Sequence, residues 1–196
     1  MTPPPAPSLL RGPRVAVRHV THDDYAELTA RTRESAEMYR PWIPQREATP
    51  ETFAEYIARC GGPTHEGFVI CLCDTGGGTA EDTGAAGCSG HAHRIVGAVN
   101  INNIVRGTLQ CGALGYVSYA STTGRGYMTE GLGLVIRHAF DEMGLHRLEA
   151  NIQPGNVRSS RLVERLGFRR EGHSPAFQLI DGEWRDHDRW AITSPG

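Results

Sequence analysis

The sequence predicts an α+β domain whose sheet is mostly antiparallel. Three features predict it. Short β-branched and aromatic runs are bounded by Gly, Pro and Asp. Capped or amphipathic helical stretches lie among them. A strand, a Gly-rich turn and a helix follow one another across 115–143. The 196 residues suit a single domain with no internal repeat, and 39% hydrophobic against 21% charged residues supports a folded core.

Val15-Ala16-Val17-Arg18-His19-Val20 reads as the first strand. Thr21 caps a helix through about Arg40, with Asp24 placed for a capping box and Pro41 ending it. Thr49-Pro50-Glu51 opens a second helix, which stops at Gly61-Gly62-Pro63. Gly67 to Cys73 is a strand. The stretch 74–93 holds Gly76-Gly77-Gly78 and little to bury, so it reads as a mobile insertion between strands. Strands follow over 94–104 and 109–119. Met128, Leu132, Val135, Ile136, Ala139, Phe140 and Met143 form one helical stripe, stopped by Gly144. A strand at 146–152 and a helix at 156–166 come next. The last two strands, 176–180 and 184–192, flank the turn Asp181-Gly182.

A net charge of −2 gives no general basic field for nucleic acid. No stretch approaches the roughly 20 apolar residues of a membrane span. Residues 1–13 read as a flexible Pro-rich tail without the pattern of a secretory leader, so a cytoplasmic location is expected. Five cysteines, an odd number, argue against a disulfide framework. Cys71, Cys73, Cys88, His91 and His93 lie close in sequence but lack paired zinc-ligand spacing. No metal is expected.

Gly124 and Gly126 permit a sharp turn and close approach of backbone to a ligand, and the helix that follows offers free N–H groups and a positive dipole end. The turn is an anion site or a plain connection. Neither a phosphate-binding Gly-Lys-Ser/Thr nor the third glycine of a dinucleotide fingerprint is present, since Thr129 stands at the latter position.

The segments Gly124-Arg125-Gly126-Tyr127-Met128-Thr129-Glu130, Leu145-His146-Arg147-Leu148-Glu149-Ala150, Asn156-Val157-Arg158-Ser159-Ser160, Leu166-Gly167-Phe168 and Asp181-Gly182-Glu183-Trp184-Arg185-Asp186-His187 occur in that order. With them the chain resembles the GNAT acetyltransferase superfamily from about Val15 to Ile192, most strongly after Gly115. Within it the chain is similar to the RimJ/RimL-type ribosomal-protein-alanine N-acetyltransferases. The resemblance implies the GNAT fold, with a splayed central strand pair and flanking helices, as one domain over 14–193. It implies acetyl-CoA as co-substrate. Backbone from Gly124 through Arg125, Gly126, Tyr127 and Met128 to Thr129 would hold its pyrophosphate. Val117-Ser118-Tyr119 would pair with its pantetheine arm. Asn156 matches the family Asn near pantetheine and substrate, and Ser159 the hydroxyl near the sulfur. Trp42 resembles a substrate-side aromatic. Ser121 departs from the usual Arg or Gln at the first loop position.

Acetyl transfer to an amine needs a neutral amine, a polarised thioester carbonyl and a proton for the leaving thiolate. Ser159 is the candidate donor, or an ordinary first-turn residue. Asn156 is also a natural N-cap. Glu149 is a candidate base, an ammonium binder, or the partner of Arg147 on its own strand face. Tyr116 and Tyr119 line the acceptor pocket or pack. Asp186 and Asp188 share a strand face opposite His187, which favours structural hydrogen bonding over a His–Asp pair. Arg158, Arg161, Arg165, Arg169 and Arg170 attract an adenosine phosphate or solvate a helix. The expected reaction is acetyl transfer from acetyl-CoA directly to a primary amine, foremost the N-terminus of a ribosomal protein. The alternatives are a small amine, amino-acid derivative or antibiotic, and a non-catalytic acyl-CoA sensor or scaffold. A homodimer is compatible; nucleic acid and membrane are not expected partners.

Overall fold

The computed structural model describes residues 9–40, 42–44, 48–73 and 94–195. Among them the strands are β1 (Leu10–Arg11), β2 (Val15–His19), β3 (Glu66–Leu72), β4 (Ile95–Val105), β5 (Cys111–Ser118), β6 (Arg147–Ile152), β7 (Arg169–Ile180) and β8 (Glu183–Thr193). They form one sheet in the order β1-β2-β3-β4-β5-β6-β8-β7. Only β5 and β6 run parallel. The helices are α1 (Tyr25–Glu34), α2 (Ala36–Tyr39), α3 (Pro50–Cys60), α4 (Tyr127–Asp141) and α5 (Val157–Arg165).

Two cores sandwich the sheet. Side chains on β3 alternate between them: Phe68 and Ile70 join the cluster under α4 and α5, while Val69 and Cys71 join the one under α1 to α3. This explains why β3 is apolar without a break, being covered on both faces. Helix α4 lies close to the sheet, and a Cβ on Gly131 would collide with the Ile70 side chain. Truncating Phe68, which is fully buried, therefore removes a central contact and costs about 3–5 kcal/mol.

Local signals were obeyed where they were strong. Thr49 accepts a hydrogen bond from the Thr52 N–H at 3.2 Å, with Pro50 at the first helical position. The Thr21 N–H donates to Asp24 Oδ2 at 2.8 Å, as the capping box requires. Three expectations need correction. The helix expected over 21–40 is a 3-10 turn followed by α1 and α2, broken at Ser35, whose buried hydroxyl accepts the Ala120 N–H at 2.9 Å. Residues 10–11 are not tail: Leu10 pairs with Val17 and packs on the α4-side core. Strand β7 begins seven residues before the expected 176, because an edge strand with β8 as its one neighbour needs no alternating apolar pattern. The insertion at 74–93, with Cys88, His91 and His93, lies outside the described residues. No helix among those described is long and apolar enough to cross a membrane.

Candidate active site

The glycine-rich loop is built from both ends. At its entry the buried Thr122 hydroxyl donates to the Val96 carbonyl at 3.1 Å, fastening the turn to β4. Ser121, at the departing first position, donates its N–H to Glu34 Oε1 at 3.0 Å and accepts Arg31 Nη1 on its hydroxyl at 3.3 Å. The hydrogen bonding from Ser121 holds the Glu34 carboxyl below its ordinary range. A basic side chain thus stands beside this position after all, supplied by α1.

At the exit, Gly124 and Gly126 have φ of 78° and 79°, a region that costs a side chain strain. Arg14 donates to the carbonyls of Arg125 at 3.0 Å and Gly126 at 3.5 Å. Its guanidinium also pairs with Glu130 at 2.8 Å and lies over the Tyr127 ring. Glu130 accepts the N–H groups of Arg14 and Val15 as well, at 2.8 and 3.1 Å. Burial pushes the Glu130 carboxyl up, but these donors outweigh it and hold the pKa low. The loop carbonyls are therefore turned back towards β2. The first helical bond of α4 runs from the Glu130 N–H to the Gly126 carbonyl, so the N–H groups of Tyr127, Met128 and Thr129 precede the ladder. A Cβ at Gly124 would meet nothing within 4 Å. Free donors, an open approach and the dipole end of a long helix suit a pyrophosphate. Arg125 is exposed, while Met128 packs towards Gly97.

Strands β5 and β6 pair only at Cys111↔Arg147, Gly112↔Leu148 and Ala113↔Glu149. Beyond them β5 continues to Ser118 along β4, and β6 to Ile152 along β8. The sheet splits there, leaving one edge of β5 over Leu114–Ser118 without a strand among the described residues. Val117 and Tyr119 turn their side chains into the α1–α3 core, with Tyr119 fully buried, so only their backbone is available to a ligand. The Ser118 carbonyl accepts the Tyr39 hydroxyl at 2.9 Å.

Beside the split stands α5. Asn156 caps it, its Oδ1 accepting the Ser159 N–H at 3.2 Å. The Ser159 hydroxyl lies 2.5 Å from the Tyr116 hydroxyl. Tyr116, expected to line the acceptor pocket or to pack, packs on the α4-side core with its hydroxyl on Ser159, and burial pushes its phenol up to about 12.

The opposite face carries an open cleft of about 700 Å³ lined by Pro44, Asn100, Asn102, Trp184 and β7 from Phe177 to Ile180. Phe177 lies under the Arg189 guanidinium at 4.6 Å. Arg189 donates to Glu149 Oε2 at 3.0 Å, and Arg147 to Glu149 Oε1 at 2.9 Å. Both carboxylate oxygens of Glu149 are thus engaged. Opposite Arg189 in register is Asn151, whose Oδ1 is buried without a hydrogen-bond partner among the described residues. Trp42 packs against Gly155, just before Asn156, and its carbonyl accepts Gln153 Nε2 at 3.1 Å.

Other candidates resolve into structure. Asp188 pairs with Arg170 at 2.7 Å and His173 at 3.1 Å, Asp186 accepts the Ala176 N–H, and buried His187 donates to the Arg185 carbonyl. Arg158, Arg161, Arg165 and Arg169 are exposed. Burial pushes the Cys71 thiol up to about 12, which leaves no nucleophile there. Arg14, Arg31, Glu34 and Asn151 were missed from the sequence. Each acts through a residue distant in the chain, or through the lack of a partner, and neither leaves a local signal.

The family profile described as Acetyltransferase (GNAT) domain matches residues 14–169. The chain is 43% identical over 101 residues to the [Ribosomal protein uS5]-alanine N-acetyltransferase of Escherichia coli (strain K12), covering 52% of each chain. It is 41% identical over 102 residues to the Probable N-acetyltransferase YjcK of Bacillus subtilis (strain 168), covering 52% of this chain and 56% of that one. The match thus spans about half the length of these curated relatives. Mycobacterium smegmatis RimJ in complex with CoA-disulfide superposes with a TM-score of 0.75 at 26% identity, over 96% of this chain and 90% of that one. The ribosomal-protein-S5-alanine acetyltransferase from Vibrio fischeri gives a TM-score of 0.77 at 23% identity, over 94% and 95%, a likeness of fold. With the split β5–β6 pair and the loop ahead of α4, the profile match places the chain: it belongs to the GNAT acetyltransferase domain family.

Proposed function

We propose that this chain is an N-acetyltransferase that moves an acetyl group from acetyl-CoA to the α-amine of a protein N-terminus, with a ribosomal protein as the favoured acceptor. The observation that carries the reading is the Ser159–Tyr116 hydroxyl pair beside the split in the sheet, in line with a loop whose carbonyls are tied away from the ligand side. The relative named for ribosomal-protein alanine N-acetylation supports the choice of acceptor.

Acetyl-CoA, when bound, supplies the acetyl group as a thioester. The loop from Gly124 to Thr129 and the start of α4 would hold its pyrophosphate, with the free edge of β5 at Val117 and Ser118 beside the pantetheine arm. Asn156 fixes the first turn of α5 and so the position of Ser159. Ser159 gives a proton to the departing sulfur. Tyr116, protonated at neutral pH because burial raises its pKa to about 12, replaces that proton through the 2.5 Å contact and is itself reprotonated by the water that carries the proton released by the amine. Direct attack by the amine requires no covalent enzyme intermediate. The amine enters from the cleft face, where the partnerless Asn151 Oδ1 accepts one of its N–H groups. Glu149, held between Arg147 and Arg189, acts as an orienting group for Arg189 and Phe177. The amine proton leaves on water.

The experiment is acetyl-CoA turnover against a peptide panel with N-terminal Ala, Ser and blocked termini, set beside spermidine and free amino acids. CoA release restricted to unblocked peptides supports the reading. Turnover of small amines alone shifts the acceptor class. Acetyl-CoA binding with no turnover on any acceptor marks a sensor and refutes the proposal.

A further inference from the structure

We propose that His19, Glu66 and His138 form a binding site for a divalent transition-metal ion of the zinc class. The three come from β2, β3 and α4, and none belongs to the machinery above. His19 Nε2 lies 3.3 Å from Glu66 Oε2, and His138 Nε2 lies 3.7 Å from the same oxygen. All three donor atoms fall within 4.8 Å of one another.

The spacing fits a tetrahedral ion. With Zn–N and Zn–O bonds of about 2.1 Å, the edge of the tetrahedron is about 3.4 Å. An octahedral ion of the same bond length sets neighbouring ligands at about 3.0 Å, closer than either observed distance. Two imidazole nitrogens and one carboxylate are also the donor set that zinc, copper and nickel accept and that magnesium and calcium do not favour. The rings are braced. His19 stacks on Phe68 with centroids 5.0 Å apart at 24°, and His138 meets the same ring edge-on at 5.6 Å. Phe68 is fully buried, so its position is fixed by the core. His19 is 49% exposed at its side chain and can make the small closing movement the third edge requires. Three protein ligands leave the fourth position for water.

The site stands eight residues along α4 from Glu130, or about 12 Å. Helix α4 is clamped to the sheet near its start by Arg14 and Glu130. An ion on His19, Glu66 and His138 clamps it a second time, near its end.

The test is a Zn²⁺ titration of the chelator-stripped full chain, read by competition with a chromophoric chelator, with Co²⁺ as a spectroscopic probe and Mg²⁺ as a control. One Zn²⁺ per chain is expected, together with the visible bands of four-coordinate Co²⁺ and no response to Mg²⁺. His19→Ala and Glu66→Gln each weaken Zn²⁺ at least about tenfold, and as both side chains are partly exposed the variants retain the wild-type circular dichroism. A C88S/H91A/H93A chain keeps its zinc. The proposal is overturned by absence of stoichiometric Zn²⁺, by wild-type affinity in both His19→Ala and Glu66→Gln, or by loss of the ion in the C88S/H91A/H93A chain.

Discussion

At the scale of single residues, the proposed mechanism separates the group that moves a proton from the groups that place it. Ser159 touches Tyr116 at 2.5 Å and is set by Asn156. Ser159→Ala should lower kcat about 10²-fold while leaving the KM for acetyl-CoA within about twofold, in the usual range for loss of a proton donor. Steady-state kinetics at saturating amine checks it; an unchanged kcat refutes the assignment. Asn151 offers a sharper case, because its role and its folding cost oppose each other. A buried acceptor without a partner costs about 1–3 kcal/mol. Asn151→Ala should therefore hold or raise Tm while raising the KM for the acceptor peptide several-fold. A fall in Tm with unchanged KM would show instead a structural role. Ser159 and Asn156 were legible from motif order. Asn151 was not, since what distinguishes it is the lack of a partner in three dimensions.

At the scale of elements, the loop ahead of α4 is held from behind by Arg14 and the first residue of β2. Five hydrogen bonds join Arg14 and Val15 to Arg125, Gly126 and Glu130. Glu130→Gln keeps the shape and removes the charge, so the KM for acetyl-CoA should rise about 5–30-fold, the effect of one or two kcal/mol, with kcat preserved at saturation. An unchanged KM would mean that the staple does not shape the site. The glycines of this loop were readable, because positive φ narrows the choice of residue. The staple was not, because Arg14 and Glu130 lie 116 residues apart. The same reason hid the break at Ser35, whose partner Ala120 is 85 residues away. The start of β7 leaves no local signal, because Arg169-Arg170-Glu171 occupies an edge position with no buried face to print an alternation.

At the scale of the whole molecule, one sheet presents two different faces. The α4–α5 face carries Ser159 and Tyr116, the α1–α3 face the cleft with Asn100, Asn102 and Phe177, and the β5–β6 split connects them. Strand periodicity made the sheet legible; the split was implied only by family resemblance, since no local pattern marks where two strands stop pairing. Buried tyrosines add a property of the entire fold. Burial raises the phenols of Tyr39 and Tyr116 to about 12, and those of Tyr56 and Tyr119 further. The folded state keeps protons that the unfolded chain releases near pH 10, so this stabilisation is complete below about pH 10 and is lost as pH rises towards 12. Urea midpoints across that interval should fall, and less steeply in Tyr116→Phe; a flat profile would contradict the burial. The central claim is acetyl transfer to a protein α-amine. Its most direct measurement is the intact mass of an alanine-starting ribosomal peptide incubated with acetyl-CoA and the chain, followed by fragmentation. The account predicts one added acetyl group on the α-amine, none on a blocked terminus, and severe loss with Ser159→Ala. Transfer only to lysine side chains or to spermidine would contradict it.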